Sequence, residues 1–210
     1  MHSIGILEND FTLKNTLQDY LTSQGEYEIS FSFGSFGELS KLRNKATIVP
    51  DFILLDIHLD DVLGIFIIPE LKTMFPKTEV IVITGDSDNL MLLKAVQHGA
   101  SSYLPKPFTM KKLHEVIENV ESTGSFLTPE TLTKLMHLIN VTNSKKSSSS
   151  YADSLTEREN QIFELMKKGM TYKEMASLLN VSYHTVNHHL KNIYLKLDVN
   201  SKVELLSKFL

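Results

Sequence analysis

Five short apolar runs, separated by segments with helical periodicity, place the strongest constraint on the fold of this chain. The runs are Ile4–Leu7, Tyr27–Phe33, Phe52–Asp56, Val80–Thr84 and Ser102–Leu104. Helical patterns follow them near Leu13–Ser23, Phe36–Arg43, Gly64–Phe75, Asn89–Gln97 and Met110–Val120. This alternation predicts an α/β domain with a doubly wound, five-stranded parallel sheet. The third and fourth runs are almost entirely apolar, which is typical of central strands buried on both faces.

A polar segment divides the chain into two parts. Residues 141–153 include two lysines and four consecutive serines, a composition that cannot form a core and indicates a flexible linker. A helix start at Thr128 and Pro129 predicts a helix over about 128–140. We therefore assign 1–121 to a first domain, 122–154 to a connecting segment and 155–210 to a second, smaller domain.

The second domain is predicted to be all-α. Capping-box patterns begin helices after Thr156 and Thr171. Ser182 is a candidate cap for a longer helix that reaches about residue 197, and a last helix covers about 202–209. A short helix, a tight turn and a longer helix form the helix-turn-helix pattern.

Composition limits the classes of function. The 210 residues include no cysteine, which excludes disulfide frameworks and fits a reducing cytoplasm. No segment approaches the roughly 18 apolar residues of a membrane span, so we expect a cytoplasmic protein with no membrane partner. Residues 1–124 carry 10 Lys and Arg against 17 Asp and Glu, a net charge of −7, whereas 125–210 carry 11 against 8, a net of +3. This asymmetry indicates two domains with different partners.

Polar side chains gather where the predicted strands end. In parallel sheets, functional groups lie at the carboxyl ends of the strands, and this rule brings together Glu8, Asn9, Asp10, Asp56, Thr84 and Lys106. A carboxylate such as Asp56 can attack phosphorus and form an acyl phosphate. Its acidic neighbours would need Mg²⁺ to make the site tolerable to phosphate. Lys106 and Thr84 would then bind the phosphoryl oxygens.

These landmarks, in this order along residues 1–121, resemble the receiver domain of two-component response regulators, which has a flavodoxin-like fold. The resemblance implies that Asp56 is the phosphoacceptor, that Thr84 and Lys106 are its catalytic partners, and that Thr84 and Tyr103 form the switch. It also implies a cis peptide at Lys106–Pro107 and a sensor histidine kinase as partner. The implied ligands of Mg²⁺ are Glu8, Asn9, Asp56 and the backbone carbonyl of His58.

Two positions depart from the family pattern. Asn9 stands where a second acid is usual, and Asp60, followed by Asp61, stands where a proline is common. These residues keep open an alternative, a pseudo-receiver that binds DNA without phosphotransfer and is regulated by protein interaction. A haloacid dehalogenase-type phosphohydrolase generally needs a second acid where this chain has His58. We therefore expect no enzyme activity beyond the chain's own phosphotransfer and dephosphorylation.

The second domain resembles the LuxR-type helix-turn-helix of NarL/FixJ-type regulators. The matching segments are 155–159, 173–176, 181–189 and 192–197. Residues at helical spacing are expected to face the domain core, namely Val186, Leu190, Ile193 and Leu197. Asn187, His188 and Lys191 then fall on the exposed side, where the family reads the major groove of double-stranded DNA. Candidate phosphate contacts are Ser182, Thr185 and Lys196, with Thr171, Lys173 and Lys202.

Phosphorylation adds about −1.5 to −2 charges at a strand end. We hypothesise that Thr84 and Tyr103 respond to it and alter the surface of the fourth and fifth helices. That change would release the DNA-binding domain or promote a homodimer, which in the family commonly forms through the last helix. The expectation is a transcription factor whose DNA binding is switched by phosphorylation.

Overall fold

The computed structural model describes residues 1–41, 49–85, 89–145, 155–197, 199 and 202–209. The chain divides into two compact units, Met1–Leu138 and Ile139–Leu210. Of the stretch predicted to be a flexible linker, residues 141–145 are helical, which corrects the prediction there, and residues 146–153 lie outside the described residues. Within the described residues, no helix has the length and apolarity needed to cross a membrane.

The first unit contains a five-stranded, all-parallel sheet in the order β2-β1-β3-β4-β5, as the alternating pattern predicts. The strands are β1 (His2–Leu7), β2 (Tyr27–Phe33), β3 (Phe52–Asp56), β4 (Glu79–Thr84) and β5 (Ser102–Pro105). The helices are α1 (Phe11–Ser23), α2 (Phe36–Ser40), α3 (Gly64–Met74), α4 (Asn89–Gln97) and α5 (Met110–Thr123), followed by α6 (Pro129–Lys145). The doubly wound receiver fold is thus confirmed, and α6 extends beyond the predicted 128–140.

The register of the central strands aligns their carboxyl ends. In the β3–β4 pair, Asp56 stands opposite Ile83, one residue before Thr84. In the β4–β5 pair, Thr84 stands opposite Pro105, one residue before Lys106. The three polar residues therefore emerge at the same edge of the sheet.

A continuous apolar core fixes these strand ends. Residues 52–55 of β3 and 80–83 of β4 are at most 3% exposed, as expected for central strands covered on both faces. On one face, the sheet packs against α1 and α5 through Leu17, Leu21 and Val116, among others. Burial of this apolar surface dominates the stability of the unit and leaves the strand-end side chains little freedom to move.

The second unit consists of helices α7 (Glu157–Lys167), α8 (Tyr172–Leu178), α9 (Tyr183–Leu197) and α10 (Lys202–Phe209). Both predicted capping boxes are confirmed, because Glu159 and Glu174 bond back to Thr156 and Thr171. Ser182 caps α9, as predicted: its Oγ accepts from the Thr185 N–H at 3.0 Å. These caps satisfy backbone N–H groups that the first helical turn leaves without intrahelical partners.

One face of α9 forms the core of the second unit. Val186, Leu190 and Ile193 are fully buried and Leu197 is 2% exposed, which confirms the predicted inward face. They pack against Ile162 and Met166 of α7 and Met175 of α8. The opposite side of α9 is therefore left to its polar residues.

Candidate functional site

Two buried carboxylates share one lysine at the carboxyl edge of the sheet. The Lys106 ammonium lies 2.7 Å from Glu8 Oε2 and 3.2 Å from Asp56 Oδ2. Glu8 is 2% and Asp56 4% exposed. Asp56 Oδ1 is buried and has no hydrogen-bond partner within the described part of the chain. The structure thus brings together Glu8, Asp56 and Lys106, as predicted from the sequence, and leaves Asp56 Oδ1 without a hydrogen bond among the described residues.

The charge balance at this edge acts on the pKa of Glu8. Burial is the largest effect, followed by the negative charge of Asp56, and together they raise the pKa to about 7 from an ordinary value of 4.5. Hydrogen bonds from Lys106 and from the Asp10 N–H, the latter 3.0 Å from Glu8 Oε1, act in the opposite direction. One lysine does not balance two buried carboxylates, so the ionised site favours an additional cation.

Thr84 and Tyr103 complete the predicted set on the two neighbouring strands. Thr84 is fully buried at the end of β4, and its carbonyl accepts from the Lys106 N–H at 2.7 Å. Tyr103 in β5 stands opposite Val82 and is 5% exposed. The Lys106–Pro107 peptide is cis, as the resemblance implied.

The loop after β3 is fixed at both ends. His58 forms an antiparallel bridge with Leu63, and the Gly64 N–H donates to the Ile57 carbonyl at 2.7 Å. Gly64 begins α3 so close to β3 that a Cβ atom there would lie 2.2 Å from the Asp56 carbonyl oxygen. A side chain at this position would displace the end of β3, a role of Gly64 that was not predicted from the sequence.

Asp61 joins this loop to the start of α2. Its carboxylate accepts from the Phe36 N–H at 3.0 Å and from the Gly37 N–H at 2.7 Å. These are amides of the first helical turn, which otherwise need a capping partner. The sequence gives no signal for this contact, since the two loops are about 25 residues apart.

The end of β1 separates its three polar residues. Glu8 turns inward, whereas the Asp10 carboxylate caps α1 through the N–H groups of Thr12 and Leu13, at 2.8 and 3.0 Å. Asn9 is exposed, and its amide donates to Asp60 Oδ1 at 3.4 Å. Both residues that depart from the family pattern are thus in contact with each other.

The donor set at this edge fits Mg²⁺. Among the described residues, no three His, Cys, Asp or Glu side chains are grouped so as to hold a metal by themselves. Mg²⁺, however, usually binds one or two carboxylates and keeps several waters. Glu8 and Asp56 supply two buried carboxylates, and the unpartnered Asp56 Oδ1 is an oxygen available to a cation.

The outer side of α9 carries the residues predicted to contact DNA. His188 is exposed, Asn187 and Lys191 are half-buried, and none of the three belongs to the core cluster of the unit. The hydroxyls of Ser182 and Thr185 lie 2.9 Å apart at the N-terminus of α9. A helix N-terminus with hydroxyl groups is suited to phosphate groups.

Lys196 occupies a different position from the other predicted DNA contacts. Its ammonium lies 2.7 Å from Oε2 of Glu159, which is 3% exposed in α7. Burial acts to raise the pKa of Glu159, but hydrogen bonds from Lys196 and Thr156 outweigh it and lower the pKa overall. In this structure, Lys196 therefore ties α9 to α7, and its role as a phosphate contact stays a prediction.

The sheet, its strand-end carboxylates and the lysine define a receiver domain, and the second unit has the architecture of a helix-turn-helix regulator. Family comparisons agree: residues 4–118 match the response regulator receiver domain, and 153–209 match the bacterial regulatory proteins of the luxR family. The first match alone spans more than half of the chain. The chain therefore belongs to the response regulators of two-component systems, in the NarL/FixJ class with a LuxR-type DNA-binding domain.

Individual relatives cover almost the whole chain. The response regulator protein VraR of Staphylococcus aureus (strain NCTC 8325) is 27% identical over 188 residues, which are 90% of this chain and 86% of VraR. RcsB of Salmonella enterica serovar Typhimurium, solved bound to a promoter in the presence of the phosphomimetic BeF₃⁻, has a TM-score of 0.60 at 20% identity. That comparison covers 98% of this chain and 96% of RcsB. A structure of two RcsB dimers on two parallel DNAs has a TM-score of 0.57 at 18% identity, with the same coverage.

Proposed function

We propose that this response regulator controls transcription by accepting a phosphoryl group on Asp56 from a sensor histidine kinase. The observation that carries the proposal is the Asp56 carboxylate at the end of β3. It is buried, held by Lys106 through one oxygen, and unpartnered at the other within the described residues. A carboxylate in this state can act as a nucleophile, because one oxygen is not occupied by a hydrogen bond.

The phosphotransfer step is a displacement at phosphorus. An Asp56 carboxylate oxygen forms a bond to phosphorus while the bond from phosphorus to the imidazole nitrogen of the kinase phosphohistidine breaks. The electron pair of that bond stays with the imidazole, and Asp56 becomes an acyl phosphate. Lys106, already 3.2 Å from Asp56 Oδ2, pairs with the phosphoryl oxygens, and Thr84 supplies a hydroxyl donor.

Mg²⁺ is the proposed cofactor of this step. Glu8, Asn9, Asp56 and the His58 carbonyl would hold it, in keeping with the oxygen donors that Mg²⁺ prefers. When bound, Mg²⁺ neutralises charge that accumulates between the carboxylates and the incoming phosphoryl group. The residues themselves position the acceptor and keep Lys106 between the two acids.

The proposed DNA interface is the outer side of α9. Asn187 suits adenine and Lys191 suits guanine, while His188 can donate to base acceptors. Ser182 and Thr185 would contact phosphates at the helix N-terminus. The RcsB structures on DNA, including dimers, support this use of the fold and an active homodimer of the present chain.

Incubation with Mg²⁺ and acetyl phosphate tests the phosphotransfer proposal. The wild-type chain is expected to gain the mass of one acid-labile phosphoryl group. No mass increase is expected when EDTA replaces Mg²⁺. Asp56→Asn should gain none, whereas Asp19→Asn, an exposed aspartate of α1, should behave as wild type. An unmodified wild-type chain at all Mg²⁺ concentrations would favour the phosphorylation-independent pseudo-receiver instead.

A further inference from the structure

The two residues that depart from the receiver pattern contact each other, although 51 positions separate them. The amide nitrogen of Asn9 donates to Oδ1 of Asp60 at 3.4 Å. We propose that Asp60 is a positioning residue that holds the Asn9 amide by its nitrogen and so leaves the carbonyl oxygen for Mg²⁺. The proposal deepens the proposed function and rests on the Mg²⁺ site described there.

The two ends of the Asn9 side-chain amide interact differently with a cation. The Asn9 side chain has an NH₂ group, which repels a cation, and a carbonyl oxygen, which can bind one. A carboxylate accepts hydrogen bonds and cannot donate them, so the end that faces Asp60 must be the NH₂ group. An asparagine without this partner could present either end to the metal. The contact therefore gives the neutral residue a defined orientation.

Asp60 is itself held in place by its surroundings. Its N–H donates to the Gly34 carbonyl at 3.4 Å, and its Oδ2 lies 3.3 Å from the point where a Gly34 Cβ would stand. The next residue, Asp61, anchors the same loop through the two backbone amides at the start of α2. Three loops thus meet at this edge of the sheet, and Asp60, in the loop after β3, contacts the other two.

The charge of Asp60 has a cationic neighbour. The Lys14 ammonium lies 3.7 Å from the position that a Gly34 Cβ would take, and Asp60 Oδ2 lies 3.3 Å from that same position. The contact with the Asn9 NH₂ group needs only a hydrogen-bond acceptor at position 60, which an uncharged amide oxygen also supplies.

The test is a titration of the full chain with Mg²⁺, in which backbone amide NMR shifts near Asp56 report binding. No phosphodonor is present. Asp60→Ala removes the acceptor and is expected to weaken Mg²⁺ binding by about tenfold, the lower range for groups that orient metal ligands. Asp60→Asn keeps an acceptor oxygen and is expected to restore affinity to within about threefold of wild type. Asp19→Asn removes one negative charge from the exposed side of α1 and should bind Mg²⁺ as well as wild type.

The decisive comparison uses Asn9→Asp. A carboxylate at position 9 binds through either oxygen and needs no orientation, so Asp60→Ala should cause no loss of Mg²⁺ affinity in that background. The proposal is overturned if Asp60→Ala matches wild type, if Asp60→Asn is as weak as Asp60→Ala, or if the loss persists with Asn9→Asp. A wild-type chain that binds no Mg²⁺ overturns it as well. Acyl phosphate formation at saturating Mg²⁺, measured separately, shows whether the phosphotransfer function fails independently.

Discussion

At the scale of single residues, the charges at the carboxyl edge of the sheet lower the stability of the fold. Glu8 and Asp56 are both buried, and Lys106 can neutralise only one of them. Folding therefore disfavours the ionised form of Glu8, as its raised pKa shows. Such uncompensated charge is common at functional sites, where stability is lost in favour of ligand binding.

Glu8→Gln tests this electrostatic cost. The folded chain binds the Glu8 proton more tightly than the unfolded chain, since the pKa is about 7 rather than 4.5. The stabilisation that this gives is complete below pH 4.5 and is lost as the pH rises through about 7. In EDTA, Glu8→Gln should therefore exceed wild type in free energy of unfolding by about 1–2 kcal/mol at pH 8 and match it near pH 4.5. Urea unfolding at both pH values measures this, and a gain independent of pH would contradict the electrostatic explanation.

At the scale of secondary-structure elements, one buried ion pair joins α9 to α7. Lys196 in α9 bonds to Glu159 in α7, and Glu159 also accepts from the Thr156 N–H at 2.7 Å. The same carboxylate thus closes the capping box of α7 and fixes α9. This contact explains why a lysine predicted to contact DNA points instead into its own domain.

Lys196→Met is expected to destabilise the second unit by about 3 kcal/mol at pH 7, because it leaves the Glu159 carboxylate buried without its cation. Glu159 has a lowered pKa, so its contribution is present above pH 4.5 and is lost as the pH falls further. The difference from wild type should therefore shrink in acid. Urea unfolding, monitored by the NMR signals of the α9 amides, measures the free energy of unfolding of the second unit. Lys167→Met, which breaks a more exposed pair with Glu164, should lower the free energy of unfolding by less than about 1 kcal/mol. Equal losses from the two variants would contradict a special contribution of the buried Lys196–Glu159 pair.

Lys191→Ala examines the outer side of the same helix. Loss of a cation that contacts DNA should weaken duplex binding by about tenfold and lower the salt dependence by about one unit of slope. Fluorescence anisotropy with a labelled duplex at several salt concentrations provides both values. Lys167→Ala, in α7, is the matched control and should leave the affinity unchanged. Equal effects from the two lysines would indicate a general effect of charge and no defined interface.

Local signals in the sequence predicted most helices and strands, whereas contacts between distant segments were not predicted. The capping boxes at Thr156 and Thr171 and the periodicity of α9 were visible because each depends on residues within one or two turns. β1 begins earlier than predicted because His2 and Ser3 are polar, yet their backbones pair with β2.

The residues of the site were predictable as a set, whereas their pairing was not. The strand-end rule brought Glu8, Asp56 and Lys106 together correctly, since parallel strands end at one edge. The contacts of Asn9 with Asp60 and of Glu159 with Lys196 depend on how separate loops and helices approach each other. Nothing in the spacing of these residues along the chain encodes that approach.

At the scale of the whole molecule, an acidic receiver and a basic helical domain are joined in one chain. The proposed phosphorylation of Asp56 would add about −1.5 to −2 charges to an edge that already holds two carboxylates and one lysine. We infer that this local change biases an equilibrium between two states of the regulator, one of which binds DNA more tightly. Coupling of this kind typically changes affinity by about 5-fold to 150-fold.

The most direct test measures the affinity for a promoter duplex that the wild-type chain binds. Wild type and Asp56→Asn are compared, each with and without acetyl phosphate and Mg²⁺. The account predicts that only wild type treated with the phosphodonor gains affinity, by about tenfold or more. The same affinity in all four conditions would contradict it.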